Sequence, residues 1–304
     1  MTNHRKLADV VAYLCAKYPH KSELSNARLT KLVYLADWKS VQDSGQQITD
    51  IDWFFNNYGP WVPDVIDAAT ADGRFGIRRD LNAYGSPRLT VAVAPEVAAE
   101  ADSLVDRRTA NVLDLVMAET QGMYFNPFIR YVYSTLPVRV TPKGQPLPLR
   151  ELREHHPEAE TPIPDAVANG VISANSYVLL RTQLSQLTAE RLLDPEWTHR
   201  ADPPVVTTRM LLPDLRIQRV TLHPNFSVQH DGELLRLTGN GAADGSAEVP
   251  ADAQVPTGYQ ADADDSGPWA THLTTRFALT VHASGAAPTV QNLRPLTLDA
   301  LQLG

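Results

Sequence analysis

The most informative part of the sequence is SNARLTKLVYLADWKSVQDSGQQITDIDWFFNNYGPWVPD, residues 25–64. Its first half places Leu29, Leu32, Val33 and Ala36 at i, i+3, i+4 and i+7, which is the period of one apolar helix face. Ser25 precedes this stripe, and a serine hydroxyl accepts hydrogen bonds from the free N–H groups of a first helical turn. The sequence therefore predicts a helix over residues 29–38 with Ser25 as its N-cap.

The second half of the same stretch is dense in aromatic side chains between Trp53 and Trp61. Within it, Tyr58-Gly59-Pro60 predicts a turn, because glycine tolerates positive φ and proline fixes the φ that follows. Two interpretations of the rings stay open. They are either core residues, since a ring buries a large apolar area, or they leave a partner-binding patch exposed at Trp38, Tyr58 and Trp61.

These two segments resemble the Panacea domain of SocA-like antitoxins. The resemblance lies in the helix RLTKLVYLADW (28–38), the aromatic segment after it, and YGPWVPDV (58–65), and it extends over about residues 1–155. It implies an antitoxin that neutralises a partner toxin by direct protein contact. Some relatives are thought to deliver the toxin to a protease instead, so a protease is a second partner that the resemblance implies.

A polar row runs beside the apolar stripe of the helix. Lys31, Tyr34 and Asp37 are three residues apart and share a face. That row is either a solvated helix face or, as the resemblance implies, a frame for the contact surface. The predicted partner-binding residues are Lys31, Tyr34, Asp37, Trp38, Trp53, Tyr58, Pro60 and Trp61.

Charge divides unevenly along the chain. Residues 1–150 hold 17 Lys and Arg against 16 Asp and Glu, whereas residues 151–304 hold 10 against 19, a net charge of −9. Neither half has the basic surplus of a nucleic-acid-binding protein. The acidic half either steers a basic partner or simply keeps the protein in solution.

The remainder of the first half predicts further helices and one small hairpin. Residues 4–18 carry the cleanest amphipathic pattern, and Leu89, Val91 and Val93 alternate as a strand that pairs with Phe75 and Ile77. We therefore expect a mainly helical domain over residues 1–155.

The second half changes character after a proline-rich polar segment. Residues 156–204 are predicted to be a linker with a short helical connection, and residues 205–304 a β-rich domain. Its strand-like runs are residues 205–212, 215–222, 226–228 and 273–281, the last alternating strictly. The fold class is therefore α+β, with an antiparallel sandwich or barrel-like C-terminal domain.

Catalytic and cofactor chemistry finds little support. Cys15 lies inside an apolar helix stripe, which is typical of a buried thiol. The pair His155-His156 lacks spaced partner ligands for a metal, and the glycine-rich run at 239–245 opens no predicted helix, as a phosphate site would require. We predict no catalytic residue, no metal and no cofactor.

The function that the sequence favours is a non-enzymatic antitoxin of a bacterial toxin–antitoxin or phage-defence system. One alternative is a two-part protein whose β-rich domain is an enzyme or toxin-like module regulated by the N-terminal domain. A transcriptional autorepressor is a third, which the lack of a basic recognition helix disfavours. The sequence shows neither a secretory signal nor a run of about 20 apolar residues, so we expect a cytoplasmic protein with no membrane partner.

Overall fold

The structure is a computed structural model that describes residues 4–81, 85, 87–170, 172–193, 216–222, 227–231, 234–249, 269–284 and 287–297. The chain divides into two compact units, Met1–Ile163 and Pro164–Gly304. Among the described residues, no helix combines the length and the apolar character that crossing a bilayer requires.

The first unit is mainly helical. Its helices are α1 (His4–Lys17), α2 (Asn26–Ser44), α3 (Asp64–Ala71), α4 (Pro95–Ala99), α5 (Arg107–Thr120), α6 (Phe125–Tyr133), α7 (Leu136–Val140) and α8 (Leu149–His155). Short 3-10 turns lie at Lys21–Glu23, Ala101–Ser103 and Pro157–Ala159. The predicted helix over residues 4–18 is confirmed as α1.

Helix α2 is the central element of this unit. The Ser25 hydroxyl accepts from the Arg28 N–H at 3.3 Å, which confirms the predicted cap, and Gly45 ends the helix at a φ of 74°. Helices α1, α3, α5, α6 and α8 all pack against it. Because neighbours surround α2, its polar positions are buried together with the apolar stripe of Leu29, Leu32, Val33 and Ala36.

Two small antiparallel hairpins complete the first unit. Strands β1 (Phe55–Asn56) and β2 (Gly59–Pro60) form the first, and β3 (Phe75–Leu81) and β4 (Pro87–Val93) form the second. The predicted pairing of these two strands is confirmed, and its register places Phe75 opposite Val93 and Ile77 opposite Val91. The N-terminal region is thus helical with small antiparallel hairpins.

The second unit contains helices α9 (Asp165–Ala168) and α10 (Ala174–Leu193). Its strands are β5 (Arg216–Leu222), β6 (Ser227–Asp231), β7 (Leu234–Val249), β8 (Trp269–Ser284) and β9 (Ala287–Thr297). All their pairings are antiparallel, with β7 bonded to β5, β6 and β8, and β8 bonded to β9. The run predicted at residues 205–212 lies outside the described residues.

Candidate partner-binding site

The hairpin β1–β2 presents aromatic rings on one side and buries its other side. The Trp61 N–H donates to the Phe54 carbonyl at 3.0 Å, so these two residues face each other across the hairpin. Phe54 is 40% exposed and Trp61 is 39% exposed. The next pair, Phe55 and Pro60, points to the opposite side and is buried, because successive residues of a strand alternate in direction.

Tyr58 lies in the turn of this hairpin and is 81% exposed. Together, Phe54, Tyr58 and Trp61 form an exposed set that we call the aromatic patch. A large aromatic side chain left in water this way is typical of a surface that binds another molecule, because Trp and Tyr supply much contact area with few rotatable bonds.

The base of the hairpin is held on its second edge by residues 144–147. The Gly144 N–H donates to the Phe55 carbonyl at 2.7 Å, and the Phe55 N–H donates to Gln145 at 2.9 Å. The Leu147 N–H donates to the Trp53 carbonyl at 2.7 Å. The strand that carries Phe54 is therefore hydrogen-bonded on both edges, which fixes the position of the patch.

Beneath the hairpin, Asp37 of α2 is fully buried. Its carboxylate accepts from the Thr49 N–H at 2.8 Å, from Trp53 Nε1 at 2.8 Å and from Gln47 Nε2 at 3.4 Å, and also from the Thr49 hydroxyl. Burial raises the Asp37 pKa to about 6, while the hydrogen bonds oppose that rise. This cluster ties the segment that enters the hairpin to the central helix.

Tyr34 and Lys31 continue the same row of α2 under the hairpin. The Tyr34 ring meets the Trp53 ring edge-on, with centroids 5.4 Å apart, and its hydroxyl lies 2.8 Å from Thr135 Oγ1. Lys31 is only 3% exposed, and burial lowers its pKa to about 8. The polar row is therefore the surface on which the hairpin packs.

Gly59 allows this close packing between Lys31 and α6. Its φ is +93°, and an added Cβ would lie 3.0 Å from Tyr133 Cε2 and 3.6 Å from Lys31 Cε. A side chain at this position would meet both a strained backbone and an occupied space. The turn predicted at Tyr58-Gly59-Pro60 thus has a glycine for a steric as well as a conformational reason.

The structure separates the eight predicted partner-binding residues into two groups. Tyr58 and Trp61 are exposed in the aromatic patch. The other six are buried: Lys31, Tyr34, Asp37, Trp38, Trp53 and Pro60. Contact of any of the eight with a partner stays a prediction.

The structure decides between the open interpretations of two features. Trp38 is 4% exposed and belongs to the core, because helices surround α2. The row of Lys31, Tyr34 and Asp37 is not a solvated helix face, because the hairpin covers it, and its part in framing a contact surface stays a prediction. A segment distant in sequence provides the cover, so spacing along the helix alone could not reveal it.

Sequence reasoning missed three exposed rings as candidate contact residues. Phe54 lies in the aromatic patch, and strand alternation next to buried Trp53 and Phe55 is the signal that identifies it. Tyr124, 80% exposed, and Phe125, 51% exposed, lie at the start of α6. We find no sequence signal that distinguishes these two from core aromatics.

The Cys15 thiol and the His155-His156 pair were the other side chains considered for catalysis or metal binding. Cys15 is buried with its Sγ 3.8 Å from the Val91 carbonyl, and burial raises its thiol pKa to about 12, which opposes formation of a thiolate. His156 Nδ1 lies 2.9 Å from the Glu158 carboxylate. Within the described residues, no three His, Cys, Asp or Glu side chains cluster as a metal site.

Comparison with protein families matches residues 29–136 to the family described as "Antitoxin SocA-like, Panacea domain". This range begins within α2, contains both hairpins, and ends at the start of α7. It includes the aromatic patch and all eight predicted partner-binding residues. Searches of curated proteins and of solved structures returned no match.

Proposed function

Residues 29–136 are a Panacea domain of the SocA-like antitoxin family, and from this premise we propose that the chain is the antitoxin of a bacterial toxin–antitoxin or phage-defence system. It neutralises a cognate toxin by direct protein–protein binding through the N-terminal domain. The family implies the toxin partner, and the aromatic patch is the observation that supports the place of contact.

The patch has the physical properties of an interface anchor. Tyr58 and Trp61 belong to the residue types that dominate binding energy at protein interfaces, where truncation of an anchor typically costs about 2 kcal/mol or more. The first strand of the hairpin that carries them is hydrogen-bonded on both edges, and the segment that enters it is fixed to α2 through Asp37 and Trp53. A rigid patch loses little conformational freedom on binding, which favours affinity.

Neutralisation by this surface needs no covalent chemistry. A bound antitoxin covers a functional region of the toxin, so affinity and geometry are sufficient. We therefore propose a non-enzymatic antitoxin that acts by occlusion. Delivery of the toxin to a protease would use the same contact, with the protease as a second partner.

We further propose the domain arrangement that the sequence indicates: an antitoxin domain over 1–155, a connection over 156–204, and a β-rich accessory domain over 205–304. The antiparallel pairing of β5 to β9 supports the last of these. The acidic character of the second half of the chain, a net charge of −9 over residues 151–304, suits the steering of a basic partner.

Co-expression tests the proposal. Each open reading frame beside this gene is induced alone and together with this chain, and growth and co-purification are measured. The proposal expects one neighbour that arrests growth alone, loses that effect when this chain is present, and co-purifies with it. Growth arrest by this chain alone, or the absence of any neighbour that binds it, would contradict the proposal.

A further inference from the structure

Lys31 differs from the other buried charged residues of the described chain. Arg28 is paired with the Tyr18 hydroxyl at 2.6 Å, the Met123 carbonyl at 2.8 Å and Glu23 at 3.2 Å. Asp37 accepts the hydrogen bonds of the cluster beneath the hairpin. Lys31, 3% exposed, makes neither a hydrogen bond nor an ion pair with any residue that the structure describes. An unpaired buried charge is costly, so its presence requires an explanation.

The ammonium of Lys31 keeps contact with solvent although the stem is buried. Among the described residues, one side-chain nitrogen or oxygen is both fully enclosed and without a hydrogen-bond partner, and it is Nε of Arg153. Lys31 Nζ also has no partner. Because it is not such an enclosed atom, it must retain some accessible surface. A lysine commonly buries its methylene stem while its charged end reaches water.

The end of Lys31 lies beside Gly59, in the hairpin that carries the aromatic patch. Lys31 Cε and Tyr133 Cε2 both approach Gly59, at 3.6 Å and 3.0 Å from where its Cβ would stand. Gly59 directly follows exposed Tyr58 and precedes exposed Trp61 by two residues. A cation without a partner and a set of exposed rings therefore meet at one hairpin.

We propose that Lys31 recognises a carboxylate of the toxin, an Asp or Glu side chain that reaches its ammonium while Tyr58 and Trp61 contact the surrounding surface. The inference rests on the proposed antitoxin function and deepens it. Rings around a charge pair exclude water, which strengthens the pair, and hot spots at interfaces are commonly surrounded in this way. A lysine is a compact point charge, which suits a single carboxylate oxygen.

The titration of Lys31 agrees with this geometry. Burial is the cause of its lowered pKa, and no facing carboxylate of the described chain offsets that effect. The titratable groups beside it are the phenols of Tyr34 on its own helix and Tyr133 on α6, and burial raises the pKa of both, so they stay neutral near pH 8. A toxin carboxylate would favour the charged form of Lys31 and would raise its pKa in the complex.

The test uses the full-length chain and the toxin identified by co-expression. Isothermal titration calorimetry measures affinity for the wild type, for Lys31→Met and for Lys143→Met, an exposed lysine beside the segment that flanks the hairpin. We expect Lys31→Met to bind at least about tenfold more weakly, with an unchanged or higher melting temperature because a desolvated charge is gone. Lys143→Met should bind within about twofold of the wild type.

The pH dependence gives a second readout. Wild-type affinity should be full below the Lys31 pKa of about 8 in the free chain and should fall as pH rises through it. The affinity of Lys31→Met should lack this decrease. NMR of the lysine Cε carbons measures the Lys31 pKa directly in the unsubstituted chain. The spectrum is simple, because the chain has six lysines. The Lys31 pKa should rise when toxin is added.

The outcomes separate the two proposals. A wild type that binds no candidate toxin overturns both the antitoxin function and this role of Lys31. A wild type that binds, with Lys31→Met equally tight and no pH-dependent difference, overturns the role of Lys31 alone. Should Lys31→Met fail to fold, an unchanged Lys31 pKa in the wild-type complex overturns the role, and a raised one supports it.

Discussion

The indole Nε1–H of Trp53 donates a hydrogen bond of 2.8 Å to the buried carboxylate of Asp37. This contact joins the central helix to the hairpin that carries the aromatic patch. Asp37 also accepts from the Thr49 N–H, so both ends of the segment between residues 49 and 53 are fixed by one side chain. The position of the exposed rings therefore depends on a carboxylate that is fully buried beneath them.

Asp37→Asn should destabilise the fold although it preserves shape. The amide offers one acceptor oxygen where the carboxylate offered two, and its NH2 group would face the donors of Thr49 and Trp53, which leaves a buried donor unpaired. We expect the free energy of unfolding in urea at pH 7 to fall by about 1–3 kcal/mol. Asp52→Asn, at an exposed position of the same loop, should change it by less than about 0.5 kcal/mol. Equal stability of the two variants would show that the Asp37 cluster does not hold the hairpin.

The pH dependence of stability should carry the signature of Asp37. Its folded pKa, about 6, lies above the ordinary aspartate value of 3.8, so the folded state binds the proton more tightly than the unfolded state. Stability from this group is therefore fully present below about pH 4 and is lost as pH rises through about 6, by up to about 3 kcal/mol. Other carboxylates contribute a pH dependence of stability with the opposite sign. Among them are Asp72 and Asp80, whose pKa values are lowered by arginine partners.

The difference between wild type and Asp37→Asn isolates this contribution, because the other carboxylates are common to both proteins. Urea denaturation at a series of pH values should show the gap in unfolding free energy widening as pH falls from 7 to 5. A gap that narrows over that interval would mean that the folded state prefers the charged carboxylate, contrary to the raised pKa.

The elements of the first unit were predictable because their signals are local. The stripe of α2 repeats within one helix, and the cap at Ser25 and the pairing of Ile77 with Val91 follow from neighbouring residues. The burial of Lys31 and Asp37 was not predictable in this way. It arises from a hairpin that begins more than a dozen residues later and folds back over the helix. The spacing of residues within the helix contains no information about that later segment.

Gly59→Ala should move the hairpin and weaken the fold. The position has a φ of +93°, and the new methyl group would lie 3.0 Å from Tyr133 Cε2, so backbone strain and a steric contact act together. We expect a loss of about 1–3 kcal/mol in unfolding free energy. Gly73→Ala is the matched control, since its Cβ would meet no atom within 4 Å and its φ is not positive. Thermal denaturation should show a lower melting temperature for Gly59→Ala only; equal values would mean that the hairpin adapts to the methyl group.

The candidate site shows the same limit of sequence reasoning. For the dense run of rings the sequence left a core and a patch open as alternatives, and the hairpin contains both: Trp53 and Phe55 are buried, while Phe54, Tyr58 and Trp61 are exposed. Strand alternation predicts which of Trp53, Phe54 and Phe55 are buried, but the exposure of Tyr58 follows from its place in the turn. The burial of Trp38, which the sequence left open, could not be decided locally, because the packing of five helices against α2 is a property of the whole unit.

Tyr58→Ala and Trp61→Ala should abolish the protection of growth in the co-expression assay. If the rings anchor the toxin, each truncation should weaken binding by about 2 kcal/mol or more, which is about thirtyfold in the dissociation constant. Tyr58 is 81% exposed, so its loss should leave the unfolding free energy almost unchanged, whereas Trp61, 39% exposed, should cost some stability as well. Leu81→Ala is the control, because Leu81 is a 64% exposed apolar residue on the other hairpin. Circular dichroism and titration calorimetry distinguish the cases: a folded Tyr58→Ala that still binds and protects would remove the patch from the interface, and an unfolded one would return Tyr58 to a structural role.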